Sequence, residues 1–310
     1  DAVFDALYLG GGTPSLLAPS RLEQLLSDAR LRFDWREPAE ISMEVNPATV
    51  DRPQLESYRS LGVNRLIIGV QSFQDRILER LGRLHTVADA RQCLDWAAQA
   101  GFDNIGLDLI CGVPGQREIQ WRADLQETLA RAPAHVSVYI LSYDPGTPLY
   151  ALRESGSLHP LSEARTARLY RAACNELKSG GYLHYEVSNF AADSSRIARH
   201  NSKYWDLAPY LGIGPAAHTY RPPKRRWNHA DVDRYLQDLG RLRLPTADAE
   251  ILTREQRIAE FIYLGLRQCR GIDFARFRRC FHIDFATACN SLLDHFSSQG
   301  YLWATPDRCT

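Results

Sequence analysis

Two carboxylates draw attention because each lies in an otherwise apolar stretch: Glu44 within Glu40 to Val45, and Asp108 within Asn104 to Ile110. An unpaired carboxylate there would cost several kcal/mol, roughly, so each needs a donor, a cation or a ligand. Gln71 and Asn46 follow other apolar stretches, and Tyr143 follows a third. A glycine run, Gly10-Gly11-Gly12, comes next to Thr13-Pro14-Ser15 after the apolar stretch Phe4 to Leu9. Glycines let the backbone approach a ligand closely and point its N–H groups outward. A tight strand-to-helix turn would use the same residues, and the run alone leaves these two readings about even. It is no phosphate loop, since no Gly-Lys-Ser/Thr follows, and it lacks the dinucleotide spacing Gly-x-Gly-x-x-Gly. For the acids the plain alternative is an ion pair with Arg65 or Arg83. Two acids, a glutamine and a glycine loop recurring at one end of successive strands favour a shared ligand.

The elements that would position these residues alternate. Apolar runs at Phe4 to Leu9, Glu40 to Val45, Arg65 to Val70, Asn104 to Ile110 and His135 to Leu141 read as strands, and Tyr185 to Val187 starts a sixth. Helical spacing falls between them: a start marked by Ser20 and Glu23, a short helix capped by Asp51, then segments from about Val87, through Leu125 and Leu129, and from Ser162 to Ser179. Single helices between strands imply parallel pairing and right-handed crossovers, and ligands gather where the strands' carboxyl ends meet. Six such units predict an open or partial (β/α) barrel over residues 1–230. After about Asp231 the pattern turns helical. Thr253 and Gln256 cap one helix, Phe274 to Phe285 forms a second segment, Leu292, Leu293 and Phe296 a third, and a strand starts at Gly300. Residues 231–310 thus read as a mainly helical, winged-helix-like domain.

Bulk properties narrow the function. The chain has 310 residues, with 37 Lys plus Arg against 37 Asp plus Glu, so no overall field draws it to nucleic acid or anionic membrane. No apolar run approaches a membrane span. Seven scattered cysteines form neither metal-ligand spacing nor a disulfide framework, which predicts reduced thiols and a cytoplasmic protein.

Seven motifs then appear in order: Tyr-Leu-Gly-Gly-Gly-Thr-Pro-Ser (8–15), Glu-Val-Asn-Pro (44–47), Gly-Val-Gln-Ser-Phe (69–73), Gly-Leu-Asp-Leu-Ile-Cys-Gly-Val-Pro-Gly-Gln (106–116), Tyr-Glu-Val-Ser-Asn-Phe-Ala (185–191), His-Asn-Ser-Lys-Tyr-Trp (200–205) and Gly-Ile-Gly-Pro-Ala-Ala-His-Thr-Tyr (212–220). The set resembles the radical S-adenosylmethionine family that holds oxygen-independent coproporphyrinogen III oxidase and the HemW-type haem chaperones. The resemblance implies a partial (β/α)6 TIM-like barrel with a C-terminal helical domain. It implies S-adenosylmethionine bound by Gly11, Gly12 and Thr13 at the methionyl end and by Glu44, Gln71, Arg83 and Asp108 elsewhere. It also implies a [4Fe–4S] cluster on a Cys-x-x-x-Cys-x-x-Cys motif ahead of the glycine run. No such motif occurs in these residues. Its ligands are therefore expected upstream of residue 1, in a truncated front segment, and the chain as given is expected to take up no cluster and to be inert.

Between the family's branches, His200, Tyr204 and Trp205 decide. A histidine near two aromatic rings could ligate haem iron and stack on the porphyrin. In isolation a loop histidine making hydrogen bonds is the simpler reading, and the resemblance to the chaperones tips it to haem, with Glu186, Ser188 and Asn189 in support. The basic stretch Arg221 to Arg226 reads as a solvated loop in preference to a propionate-binding one. Three functions follow in order: a haem chaperone with a haem-accepting partner and an electron donor; a coproporphyrinogen III oxidase; and a cofactor-free barrel whose helical domain makes protein or nucleic-acid contacts. Neutral charge and the family resemblance make that domain a lid or docking module in preference to a nucleic-acid binder.

Overall fold

A computed structural model describes residues 2–310. The chain divides into two compact units, residues 1–200 and 201–310. In the first, strands and helices alternate: β1 (Val3–Leu9), α1 (Pro19–Arg32), β2 (Asp34–Val45), α2 (Arg52–Ser60), β3 (Arg65–Gln71), α3 (Asp75–Arg80), α4 (Val87–Gln99), β4 (Ile105–Cys111), α5 (Glu118–Arg131), β5 (His135–Ile140), α6 (Pro148–Glu154), α7 (Glu163–Ser179), β6 (Leu183–Glu186) and β7 (Asn189–Ala191). One open seven-stranded sheet runs β1-β2-β3-β4-β5-β7-β6, a partial TIM-like barrel. Its first five strands pair in parallel, each with the next in sequence. Apolar residues of the sheet and helices, among them Met43, Leu66, Ile68, Leu107 and Trp121, make one buried core.

The sixth strand departs from the expected pattern. β6 does not pair with β5; it folds back through Val187 and Ser188, and β7 runs antiparallel to both. Glu186 explains the reversal. Its carboxylate accepts from the backbone N–H of Ser188 at 3.0 Å and from the Asn189 amide, closing a tight turn between β6 and β7. The start of α1 differs too. No side chain caps it; Pro19 occupies the first turn instead of a Ser20–Glu23 pair, because its fixed φ and missing N–H suit that position. Asp51, Thr86 and Thr253 do cap their helices.

The second unit takes in most of α8 (Arg199–Trp205), then β8 (His218–Arg221), β9 (Lys224–Asn228), α9 (Val232–Gly240), β10 (Thr246–Ile251), α10 (Arg254–Leu266), β11 (Ile272–Asp273), α11 (Phe274–Phe281), α12 (Phe285–Ala288), α13 (Asn290–Ser298) and β12 (Arg308–Cys309). The division falls at His200/Asn201, not at 230/231, because β8 and β9 share a sheet with β10 and so belong to the C-terminal unit. The basic stretch is therefore no loop. It is an antiparallel hairpin whose Arg225 bridges Glu250 and Glu260 at 3.0 and 2.8 Å. Five phenylalanines, Phe261, Phe274, Phe277, Phe281 and Phe285, form the unit's core. The strand expected from Gly300 is shorter and later, β12, which pairs with β11 as a small wing. No helix among the described residues is long and apolar enough to cross a membrane.

Candidate functional site

The glycine run owes its shape to its neighbours. A Cβ on Gly10 would lie 2.4 Å from the Tyr8 ring and 3.0 Å from Glu44 Oε1, so this position excludes any side chain. Gly11 and Gly12 have φ of +78° and +58°, the left-handed region that glycine alone enters without strain, and nothing lies within 4 Å of where their Cβ atoms would be. They form an open cradle. Glu44 braces it: its carboxylate accepts from the Tyr8 hydroxyl at 2.6 Å and from the Gly11 N–H at 3.2 Å. Ser15 ties the next turn to the end of β2, bonding Thr49 Oγ1 at 2.6 Å and accepting from Asn46 N–H at 3.1 Å. Thr13 precedes that turn, and its side chain does not cap it.

Gln71 ends β3 in a left-handed conformation, φ +66°, at a break in register with β4. Such a conformation costs roughly 1–3 kcal/mol in a residue with a side chain, so the surroundings must impose it. They do so through Asp124 of α5. Its buried carboxylate accepts from Ser72 Oγ at 2.7 Å, from Phe73 N–H at 3.1 Å and from the Gln74 amide at 3.2 Å. The side chain of Gln71 then lines a cavity of about 350 Å³ together with Arg83, Asp108, Tyr139 and Ser142.

Asp108 is the electrostatic centre of that cavity. Its Oδ1 is buried without a hydrogen-bond partner. Burial pushes its carboxyl up to about 7 and Glu44 adds to this, while the Ser137 hydroxyl, Arg65 and Arg83 oppose it. Burial in turn lowers Arg83, and Asp108 opposes that shift. Arg65 is not the partner of either acid. It pairs with Glu40 at 3.8 Å and donates to Asn104 Oδ1 at 3.3 Å and the Arg196 carbonyl at 3.0 Å.

His200, Tyr204 and Trp205 lie on one helix, α8, and engage different neighbours. The imidazole of His200 stacks on Tyr8 with ring centroids 4.1 Å apart and planes 12° from parallel. Burial pulls it down to about 4, which keeps the ring neutral at physiological pH. Tyr204 meets Tyr210 edge to face at 4.8 Å, and the Arg267 guanidinium lies 4.3 Å from the Trp205 ring centroid.

The seven residues expected at one ligand thus fall into a cradle (Gly11, Gly12, Thr13, with Glu44 beneath) and a cavity wall (Gln71, Arg83, Asp108), all in the first unit. Tyr8, Asp124 and Tyr139 join them without having been singled out by the sequence. Tyr8 carries a readable clue, a hydroxyl two residues before the glycine run inside an apolar strand. Asp124 carries none, since it sits in a helix far along the chain from the loop it holds.

Residues 3–128 match the Radical SAM superfamily, and residues 252–308 match the HemN C-terminal domain. The chain is 34% identical over 272 residues to the heme chaperone HemW of Bacillus subtilis (strain 168), an alignment spanning 87% of this chain and 72% of that protein. It is 33% identical over 282 residues to the heme chaperone HemW of Lactococcus lactis subsp. lactis (strain IL1403), spanning 90% and 73%. Among solved structures, coproporphyrinogen III oxidase (HemN) from Escherichia coli, a radical SAM enzyme, superposes with a TM-score of 0.84 at 23% identity, covering 99% of this chain and 74% of that one.

Proposed function

The chain belongs to the family of HemW-type haem chaperones built on the radical S-adenosylmethionine scaffold, and we propose that it binds haem through His200 and passes it to a haem-requiring protein. The observation that carries this reading is the alignment with heme chaperones over nearly nine-tenths of the chain. The state of His200 supports it, because a neutral imidazole is the form that ligates iron. Tyr204 and Trp205 would add aromatic surface, the second requirement of a flat apolar macrocycle.

S-adenosylmethionine fits the residues of the first unit. The open glycine cradle suits close backbone contact with its methionyl end. The buried, unpartnered Oδ1 of Asp108 is an acceptor awaiting a hydroxyl or amine donor. Gly11, Gly12, Thr13, Glu44, Gln71, Arg83 and Asp108 would hold it, with Arg83 able to meet a carboxylate in two hydrogen bonds. When bound, it supplies a sulfonium centre and a methionyl amine and carboxylate. A [4Fe–4S] cluster does not fit the residues present. Among those described no group of three or more His, Cys, Asp or Glu is placed to hold a metal ion, and burial pushes the Cys93 and Cys111 thiols up to about 12, away from the thiolate a cluster needs.

The oxidase reading has the fold likeness in its favour, and a likeness of that identity speaks for fold only. The two readings differ in what they must recognise. A chaperone holding iron should prefer haem to iron-free protoporphyrin IX by about tenfold or more, the worth of one good ligand bond. An oxidase should prefer the four-carboxylate coproporphyrin III to both. Competitive absorbance titrations of the chain with the three tetrapyrroles decide it: a preference for coproporphyrin III, or indifference to the iron, would move the assignment to the oxidase.

A further inference from the structure

Glu40 lies four residues before Glu44 on the same face of β2, because side chains alternate along a strand. It is only 7% exposed, and a buried carboxylate must find donors. It finds them in the backbone that leads into α8. The Arg199 N–H donates to Oε1 at 3.1 Å and to Oε2 at 3.3 Å, and the His200 N–H donates to Oε1 at 3.3 Å. The first N–H groups of a helix have no acceptor within it, so an acid placed there satisfies them. Neighbours make the hold firm. The Arg65 guanidinium, 1% exposed, stands 3.8 Å from Oε2 and donates to the Arg196 carbonyl at 3.0 Å. The Arg199 guanidinium donates to the Pro38 carbonyl at 2.8 Å. Residues 196–200 are thus tied at both ends to β2 and β3.

The ring of His200 is held differently. Tyr8 covers its face, and β1 pairs with β2 so that Tyr8 lies opposite Ser42, the next residue after Glu40 on that face. A stack fixes the plane of an imidazole but lets it slide and turn within that plane. A metal is ligated through a lone pair lying in the ring plane, so the in-plane direction is what a ligand must have fixed. The backbone tether supplies it, by pinning the Cα from which the ring hangs. We propose that Glu40 is a positioning residue for iron ligation: backed by Arg65, it fixes the backbone at His200 and so aims the imidazole that Tyr8 keeps in plane. The part that concerns iron rests on the haem-carrying function, whereas the hold of Glu40 on His200 does not.

Two measurements separate them. The ring protons of His200, assigned by their disappearance in His200→Ala, should resonate upfield in the wild type because they sit over the Tyr8 ring. Glu40→Ala should return them toward the position of a solvated histidine. Glu40→Gln, which keeps an acceptor oxygen, should leave them near the wild-type position. In parallel, haem is titrated into the wild type, Glu40→Ala, Glu40→Gln, His200→Ala and the Glu40→Ala/His200→Ala double variant. Glu40→Ala should weaken haem by about tenfold and move the Soret band to its position in His200→Ala, and Glu40→Gln should recover most of the affinity. Once His200 is gone, Glu40→Ala should cost less than about twofold more, whereas a role confined to stability would lower affinity equally in both backgrounds. Glu40→Ala strands the Arg65 guanidinium. If it does not fold, Glu40→Leu with Arg65→Leu, which removes the buried pair whole, carries the same measurements. Unmoved His200 protons in a folded variant overturn the proposal, as does an equal loss of haem affinity with and without His200. Displaced protons, with haem binding that His200→Ala leaves untouched, keep the hold of Glu40 on His200 and remove His200 as the haem ligand instead.

Discussion

At the scale of residues, the account turns on two acids with opposite roles. Glu44 already has its hydrogen bonds, from Tyr8 and Gly11, and acts by holding the glycine cradle in shape. Asp108 keeps one oxygen, Oδ1, buried and unsatisfied. Glu44→Ala should therefore weaken S-adenosylmethionine by about tenfold through the loosened cradle, while Tyr8→Phe, which removes one of the two bonds, should cost less. Calorimetry on both variants checks the order, and wild-type affinity in Glu44→Ala would show that the cradle keeps its shape without that carboxylate. For Asp108 the sign of the pH effect follows from its raised value. Between the ordinary 3.8 and about 7 the folded chain binds a proton that the unfolded chain releases. The stabilisation this gives is full at low pH and is lost as pH rises through that window. Thermal melts from pH 4 to 8 should show Asp108→Asn losing part of that downward slope and gaining stability relative to the wild type at pH 8. A slope unchanged by the substitution would show that Asp108 titrates normally.

At the scale of elements, α5 controls the end of β3. Asp124 alone gathers Ser72, Phe73 and Gln74, and so imposes the left-handed turn at Gln71. Asp124→Ala leaves three buried or partly buried donors without an acceptor, which should cost about 3 kcal/mol or more in chemical denaturation. Asp124→Asn keeps one acceptor oxygen and should cost less. Loss of S-adenosylmethionine binding should accompany the loss of stability in Asp124→Ala, whereas unchanged affinity would show that the loop holds Gln71 without help. Pattern reading works well at this scale where period and cap agree. The first five strands, the Asp51 cap and the Thr253–Gln256 capping box were all visible because alternation and helix-start chemistry are local. The β6–β7 reversal was not, since it depends on where the Glu186 carboxylate turns. The Asp124 contact was not, since it joins residues about fifty positions apart in sequence.

At the scale of the whole molecule, the two units differ in chemistry: a polar cradle and cavity in the first, a phenylalanine core in the second. The sheet and the acids within it were legible, because burying an acid in an apolar strand leaves a mark in the sequence. The extent of the second unit was not, because the pairing of β8 and β9 with β10 is a long-range choice that composition does not encode. The residues proposed for haem were legible only as a motif. Their spacing alone did not separate a ligand from an ordinary loop histidine, and the structure adds the neutral imidazole stacked on Tyr8. The most direct measurement is therefore a Soret titration of the chain and of His200→Ala with haem at pH 7. The haem-carrying assignment predicts one haem per chain, a shifted Soret band, and an affinity that falls by about tenfold or more in the variant. Unchanged stoichiometry, band position and affinity in His200→Ala would contradict it.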